Sequence, residues 1–336
     1  MNIAIVGATG NVGRKIIEIL EKKQINIENL FLLASKKSEG KKINYNGKEH
    51  TVTDLEKFDF SSVKIAFFAA GSEVAEKWAH IAAEKTIVID NSKYFRKDPD
   101  IPLIVPEVNS KKLSDVKNKN IIANANCSVI PVVVALKPLH DLYNINRIVA
   151  STYQSVSGAG KSAMDELLSQ TEDYFQNKEI DSKNFTKQIA FNAIPHIDSF
   201  LENGYTKEEQ KTTDEIKKIL DKKIKVTSTC VRIPVLVSHC ISANVEFNKK
   251  CDLDEIRKVL STSPGCKVID EHQDGGYITP VEAEDKFETF ISRIRLDESR
   301  ENTINLWIVS DNLVKGAALN AVQIAESLIT NDFYGK

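Results

Sequence analysis

The chain has 336 residues, 42% hydrophobic and 27% charged, the balance of a globular protein of about two domains. Its 45 basic and 47 acidic residues leave a formal net charge of −2. With no long basic tract, nucleic acid and anionic membranes are not expected partners, and no apolar run approaches the roughly 18 residues of a membrane span. The N-terminus enters a strand at once, without the basic region of a signal peptide, so a cytoplasmic location is expected. Five cysteines without a C-x-x-C pair read as mostly structural thiols of a reduced protein, one or two of them at most doing chemistry. No metal site is expected.

Taken in chain order, an apolar strand at 2–7 leads into a helix over 12–23, whose Val12, Ile16, Ile19 and Leu20 share a face. Further strands are predicted at 29–35, 63–70, 86–92, 102–108 and 120–126, with a helix over 73–84. Continuous apolar strands separated by helices predict a parallel sheet covered on both faces. The fold expected for residues 1–127, with the C-terminal helix of 312–336, is an α/β Rossmann-like, doubly wound nucleotide-binding domain. The rest of the chain has another rhythm: a strand at 147–156, a helix at 161–176, a polar loop at 177–188 and a helix at 206–220. Long alternating strands follow over 225–248, then a helix at 252–262 and a strand at 302–312. That pattern predicts an α+β domain with a mixed sheet over 128–311.

The turn IVGATGNVG spaces Gly7, Gly10 and Gly13 as G-x-x-G-x-x-G between the first strand and the first helix. Glycine there permits a tight turn and close approach of a pyrophosphate to a helix N-terminus. Gly7, Thr9, Gly10, Asn11, Val12 and Gly13 are therefore the candidate dinucleotide-binding residues. The second strand ends LLASKKSEGKK, with the donors Ser35, Lys37 and Ser38 where an NAD site typically carries an acid. A 2′-phosphate suits such donors, so NADP is the expected cofactor.

In NIIANANCSVIP, Cys127 stands at the carboxyl end of a strand and the start of a helix. A helix N-terminus favours a thiolate and offers N–H groups to an oxyanion. From these residues alone, a nucleophile and a buried filler both remain open. Pro131 suits the first helical turn, whereas Pro138 is expected to kink or end the helix. Among six histidines, His239 stands out because Arg232 lies upstream in the same segment and Pro234 breaks the strand between them. In the helix at 206–220, Thr206 and Glu209 have capping-box spacing, and Glu208 and Lys211 share a face at i, i+3.

Together, VGATGNVG (6–13), NANCS (124–128), QSVSGAG (154–160), YTKEEQK (205–211), RIPVLVSH (232–239) and DNLVKGAALNAVQIAE (311–326) resemble the aspartate-semialdehyde dehydrogenases over nearly the whole chain. The resemblance implies NADPH-dependent reduction of aspartyl phosphate to aspartate semialdehyde with release of phosphate, a step toward lysine, diaminopimelate, threonine and methionine. It implies that Cys127 attacks the acyl phosphate, that His239 is the acid/base, and that Gln154 orients the acyl group. Arg232 would take the substrate carboxylate, Glu208 its ammonium, and Arg96 and Lys211 the phosphate. Ser157, Gly158 and Asn312 would meet the cofactor, and the second domain would form a homodimer or homotetramer. Three positions depart from the family pattern: Ala125 where proline is frequent, Ser238 where glycine is common, and His196 where glutamine is usual. The rival N-acetylglutamyl-phosphate reductase has a blocked amine in its substrate and no use for Glu208. A non-catalytic NADP sensor would not need Cys127, His239 and Arg232 together.

Overall fold

The computed structural model describes residues 1–330; the last six residues of the expected 312–336 helix lie outside the described residues. The chain falls into two compact units, one of Met1–Ala125 joined by the segment from Ala317, the other Asn126–Gly316.

The first unit begins with β1 (Asn2–Val6), α1 (Asn11–Lys22) and β2 (Asn29–Ala34). Helix α1 forms because its apolar residues recur on one face, and Ile16, Ile17, Ile19 and Leu20 are buried by it. A hairpin follows, β3 (Lys42–Tyr45) and β4 (Lys48–Asp54), which the reading above omits. Its turn is Asn46-Gly47, both at positive φ (50° and 73°), and an Asn-Gly pair between alternating residues is a strong hairpin signal. Then come β5 (Ile65–Phe68), α2 (Ser72–Ala83), β6 (Ile87–Asp90), β7 (Leu103–Ile104), the single-turn α3 (Pro106–Asn109) and β8 (Ile121–Asn124). The expected strand at 102–108 is thus cut to two residues. Pro106 occupies the first turn of α3, where its fixed φ suits a helix and its missing N–H costs nothing.

The sheet order is β3-β4-β2-β1-β5-β6-β8-β7, parallel except for the β3/β4 pair. Chain order reverses at β1, the topological switch point where doubly wound sheets bind nucleotides. Every residue of β5, β6 and β8 is buried, as expected for strands covered on both faces.

The second unit runs through α4 (Val129–Tyr143), β9 (Ile145–Gln154), α5 (Lys161–Phe175), α6 (Lys207–Ile219), β10 (Lys225–Arg232) and β11 (His239–Phe247). It continues with α7 (Leu253–Thr262), β12 (Cys266–Val268), α8 (Pro280–Ala283), β13 (Thr289–Leu296) and β14 (Thr303–Ser310). A π-helical turn, Val314–Ala318, precedes α9 (Leu319–Thr330), which belongs to the first unit. The six strands form a mixed sheet, β10-β9-β11-β14-β13-β12. Helix α4 packs against β11, β13 and β14, α6 against β10 and α7 against β12. Cys127 and residues 312–316, assigned above with the first domain, belong to the second unit. The Asn126 N–H is held by Glu215 and the Gly316 N–H by the Asp311 carbonyl.

Helix α4 does not end at Pro138 but continues to Tyr143. Proline at 138 leaves the Val134 carbonyl without its helical donor. The Cys266 thiol, 3.6 Å away, donates to that carbonyl instead.

Candidate active site

The register of the mixed sheet gathers the reactive side chains. Gln154 at the end of β9 is paired with Arg232 at the end of the parallel β10, while His239 opens β11, antiparallel to β9. The segment between Arg232 and His239 folds back on residues 154–157. Ile233 N–H donates to the Gln154 carbonyl, and Val156 and Ser157 donate to the carbonyls of Val235 and Leu236. Arg232 and His239 thereby converge although a straight strand would send them to opposite faces. Gly158 lies over both: a Cβ placed there would be 3.3 Å from an Arg232 Nη and 3.4 Å from His239 Nε2.

Cys127 sits just before the N-cap of α4, and its Sγ is 3.3 Å from His239 Nε2. Asn126 holds the turn in place. Its N–H donates to Glu215 Oε2 at 2.6 Å, its carbonyl accepts from Val129 and Ile130, and its Oδ1 accepts from the N–H and hydroxyl of Ser128. The Asn126 Nδ2 donates to Glu208 Oε1 at 3.0 Å, so one side chain ties the Cys127 turn to α6. Gly316 approaches from the other side, with its virtual Cβ 3.0 Å from Cys127 Cβ.

The expected capping box starts α6: Thr206 Oγ1 accepts the Glu209 N–H and Glu209 Oε2 accepts the Thr206 N–H. The helix carries Glu208 and Lys211 on one face as an ion pair at 2.6 Å, and Lys211 also meets Asp198 at 3.0 Å. Burial by itself would raise the Glu208 carboxyl. The Lys211 ammonium, with hydrogen bonds from Lys211, Asn126 and Gln154, outweighs it and holds the carboxyl below its usual range. Gln154 Nε2 donates to Glu208 Oε1, while its buried Oε1 has no hydrogen bond within the protein. Arg232 is buried and donates to the Ser155 carbonyl at 2.5 Å; burial lowers its pKa from an arginine's ordinary value. Burial, and then the Arg232 guanidinium, push the His239 ring down to about 3 against the pull of Glu208. Burial also pushes the Cys230 and Cys240 thiols up to about 12, which makes them inert.

Ser157 and Asn312 are buried and bound to each other; Asn312 Oδ1 also accepts from the Ser155 hydroxyl and the Ser238 N–H. Ser238 sits in the left-handed region at φ 75°, the reason glycine suits that position. Ser155, Asn126, Asp198, Glu215 and Gly316 are site residues that the sequence reading passes over. For Asn126 a signal existed, because Asn two residues before a helix start is a turn former.

Arg96 belongs to the first unit, where Asn124 and Asn91 carbonyls brace its guanidinium at 2.9 and 3.1 Å. That unit holds a cleft of about 900 Å³ whose lining includes Gly7, Thr9, Gly10, Ser35, Lys36, Lys37, Asp54, Glu56 and Trp78. Asn11, Val12, Gly13 and Ser38, proposed from the sequence, lie outside that lining. Gly13 acts through packing, since a Cβ there would be 2.2 Å from the Gly7 carbonyl oxygen. Gly7 sits at φ 86° with its virtual Cβ 2.7 Å from the Ala69 backbone. The first turn of α1 carries no acid, so its positive end is not neutralised. A dinucleotide pyrophosphate fits this turn, and Lys36 and Lys37 stand at the end of β2. Among the described residues no group of three or more His, Cys, Asp or Glu side chains is placed to hold a metal. No described helix is long and apolar enough to cross a membrane.

Two family models match the chain. One, described as "Semialdehyde dehydrogenase, NAD binding domain", covers residues 2–116, and the other, "Semialdehyde dehydrogenase, dimerisation domain", covers 136–315. These define the class: semialdehyde dehydrogenases, oxidoreductases that use a nicotinamide dinucleotide. Within it, the aspartate-semialdehyde dehydrogenase of Aquifex aeolicus is 49% identical over 331 residues, 97% of each chain. That of Rickettsia bellii is 49% identical over 98% of this chain and 97% of its own. The solved structure of aspartate semialdehyde dehydrogenase II from Vibrio cholerae superimposes with a TM-score of 0.96 at 47% identity, over 98% of both chains. A second structure of that enzyme, described as complexed with ASA, matches equally. The chain belongs to the aspartate-semialdehyde dehydrogenase family.

Proposed function

We propose that the protein reduces L-aspartyl 4-phosphate to L-aspartate 4-semialdehyde, releasing phosphate, as an enzyme of amino-acid biosynthesis. The observation that carries this reading is one buried cluster joining Cys127 Sγ to His239 Nε2 at 3.3 Å, with Arg232, Gln154 and the Glu208–Lys211 pair beside them. Cys127 attacks the acyl carbon, the carbon–oxygen bond to phosphate breaks, and a thioester forms. A dihydronicotinamide, when bound, would supply the hydride that reduces this thioester. The carbon–sulfur bond then breaks, the aldehyde leaves and the thiolate returns.

Arg232 presents a planar fork to the substrate carboxylate. Glu208 takes the ammonium, and Lys211 takes the phosphate. In the resting protein Glu208 and Lys211 neutralise one another at 2.6 Å. A substrate carrying both an ammonium and a phosphate exchanges that internal pair for two external ones. An N-acetylated substrate has no ammonium and would leave Glu208 buried and uncompensated. Gln154, held by Glu208 at its Nε2, orients the substrate between Glu208 and Cys127. Gly158, without a side chain, leaves space beside His239 and Arg232, and Asn312 binds Ser157, the Ser155 hydroxyl and the Ser238 N–H. Lys36, Lys37 and Ser35 favour NADP over NAD. Residues 1–125 with the C-terminal helix form the cofactor domain, and 126–316 form the catalytic and dimerisation domain.

The second copy docks on the sheet face that carries Val149, Ser151, Tyr153, Ser242, Asn244 and Trp307, which are only partly buried. Trp307→Glu should shift sedimentation toward monomer, and an unchanged profile would remove this face from consideration. The activity itself is tested by a coupled assay of aspartate semialdehyde, phosphate and NADP against the N-acetylated five-carbon semialdehyde. Preference for the free amine by about 100-fold or more is expected. Comparable specificity constants would overturn the reading and favour N-acetylglutamyl-phosphate reductase chemistry.

A further inference from the structure

In the resting protein Lys211 is held by two carboxylates, and the substrate brings a replacement cation for one of them only. The Lys211 Nζ donates to Glu208 Oε2 at 2.6 Å and to Asp198 Oδ2 at 3.0 Å. Burial by itself would lower the pKa of the ammonium. The charge and hydrogen bond of Glu208, and then those of Asp198, outweigh burial and keep the group above a lysine's usual range.

Asp198 is delivered to Lys211 by a segment tied down at both ends. Ile194 exchanges two main-chain hydrogen bonds with Arg232 at the end of β10, at 2.9 and 2.8 Å, and the Lys207 N–H at the start of α6 donates to the Ser199 carbonyl at 2.9 Å. Between these ties Asp198 stands in the left-handed region at φ 67°. Aspartate tolerates that region better than most residues, and such conformations cluster at functional sites. Its Oδ1 accepts the Ser199 N–H at 2.9 Å, and its Oδ2 is the atom that meets Lys211. With the main chain tied down, the pairing with Lys211 changes by side-chain rotation.

The two carboxylates differ in what a substrate does for them. Glu208 lies on a helix, its side chain 8% exposed, and it also accepts from Asn126 Nδ2 and Gln154 Nε2. The substrate ammonium compensates it when Lys211 turns to phosphate. Asp198 is 24% exposed, and aspartyl phosphate carries no second cation for it. Its carboxylate then faces an arriving phosphate of the same sign across a single ammonium, a repulsion that ends when the carboxylate turns out to water.

We propose that Asp198 is a positioning residue, acting through Lys211, that weakens the hold of the site on phosphate: it occupies the ammonium while the site is empty, swings to solvent as the phosphate enters, and returns to displace the phosphate product. The proposal rests on the reading of Lys211 as the phosphate ligand. No covalent bond changes, since one ion pair is exchanged for another.

The test is a calorimetric titration of inorganic phosphate into the full-length protein with NADP present to occupy the cofactor cleft. Asp198→Asn keeps the size and suits the same backbone conformation but carries no charge. Its dissociation constant for phosphate should fall about tenfold or more, because a charge-assisted pair no longer competes for Lys211. Asp198→Gly, at ease at positive φ, should bind phosphate more tightly too. In the oxidative direction the Michaelis constant for phosphate should fall by the same factor relative to that for aspartate semialdehyde. A merely structural role predicts weaker binding, so a constant no lower than the wild type's in either variant, or no binding at all, would overturn the proposal. Lys211→Met separates the premise. If it loses phosphate while Asp198→Asn gains nothing, the role of Asp198 fails alone. If it binds phosphate as the wild type does, Lys211 is not the phosphate ligand and both readings fall.

Discussion

Gly316 packs tightly against the turn that carries Cys127. A Cβ at this position would stand 3.0 Å from Cys127 Cβ and 3.1 Å from its carbonyl oxygen, and backbone cannot swing aside as a long side chain can. Gly316→Ala should therefore displace Cys127 while the fold survives. Iodoacetamide labelling of Cys127 and turnover should both fall about tenfold or more, the scale on which small misplacements act. A variant with wild-type labelling would show that the turn has room. His239 gives a second prediction at this scale, with a defined sign. Its pKa is about 3 in the folded protein, from an ordinary 6.5, so between these values the unfolded chain binds more protons and stability rises with pH. Going from pH 7 to 5 should cost about 2 kcal/mol of stability through this residue. Urea midpoints should show that slope in the wild type and a shallower one in His239→Gln; equal slopes would refute it. Arg232 and His239 were legible as a pair because both lie in one segment broken by Pro234. The contact of Ser155 with His239 was not legible, since it is made by a main-chain N–H that every residue but proline possesses.

At the scale of elements, α6 links local sequence to the site most directly. Its capping box was readable from Thr206 and Glu209, and its ion pair from the i, i+3 spacing of Glu208 and Lys211. Thr206→Ala removes the acceptor of the Glu209 N–H and should cost about 1 kcal/mol, or about 2–4 °C in Tm. Calorimetry showing no change would mean that packing alone fixes the start of this helix. Helix α4 teaches the opposite lesson. Pro138 signalled a kink or an end, yet the helix does not end there, because the Cys266 thiol satisfies the Val134 carbonyl that proline orphans. Residues 134 and 266 meet only in the folded domain, so no local rule could foresee the rescue. The strand expected at 102–108 failed for a local reason, the preference of Pro106 for a first helical turn.

On the scale of the whole molecule, the nucleotide cleft is lined entirely by residues 6–78, whereas Cys127, His239, Arg232 and Glu208 all belong to the other unit. Losing a charge-assisted hydrogen bond to a 2′-phosphate typically costs about 10- to 150-fold in affinity. Lys37→Ala should weaken NADPH by that order and NADH far less, in a fluorescence titration. Cys127→Ala should leave NADPH affinity intact while abolishing turnover. Equal losses for both cofactors in Lys37→Ala would assign the lysines to the solvated surface. What the sequence by itself determined is whatever near neighbours or period can encode: the glycine turn, the strand-helix alternation, the cap and the ion pair of α6, and the resemblance carried by six ordered stretches. Tertiary structure alone decided that the thiol of Cys127 meets His239, a residue 112 positions away, and which nitrogen of that ring faces it. The reason is physical: contacts across such separations are set by sheet register and by where donors end up, and neither leaves a periodic trace in the chain.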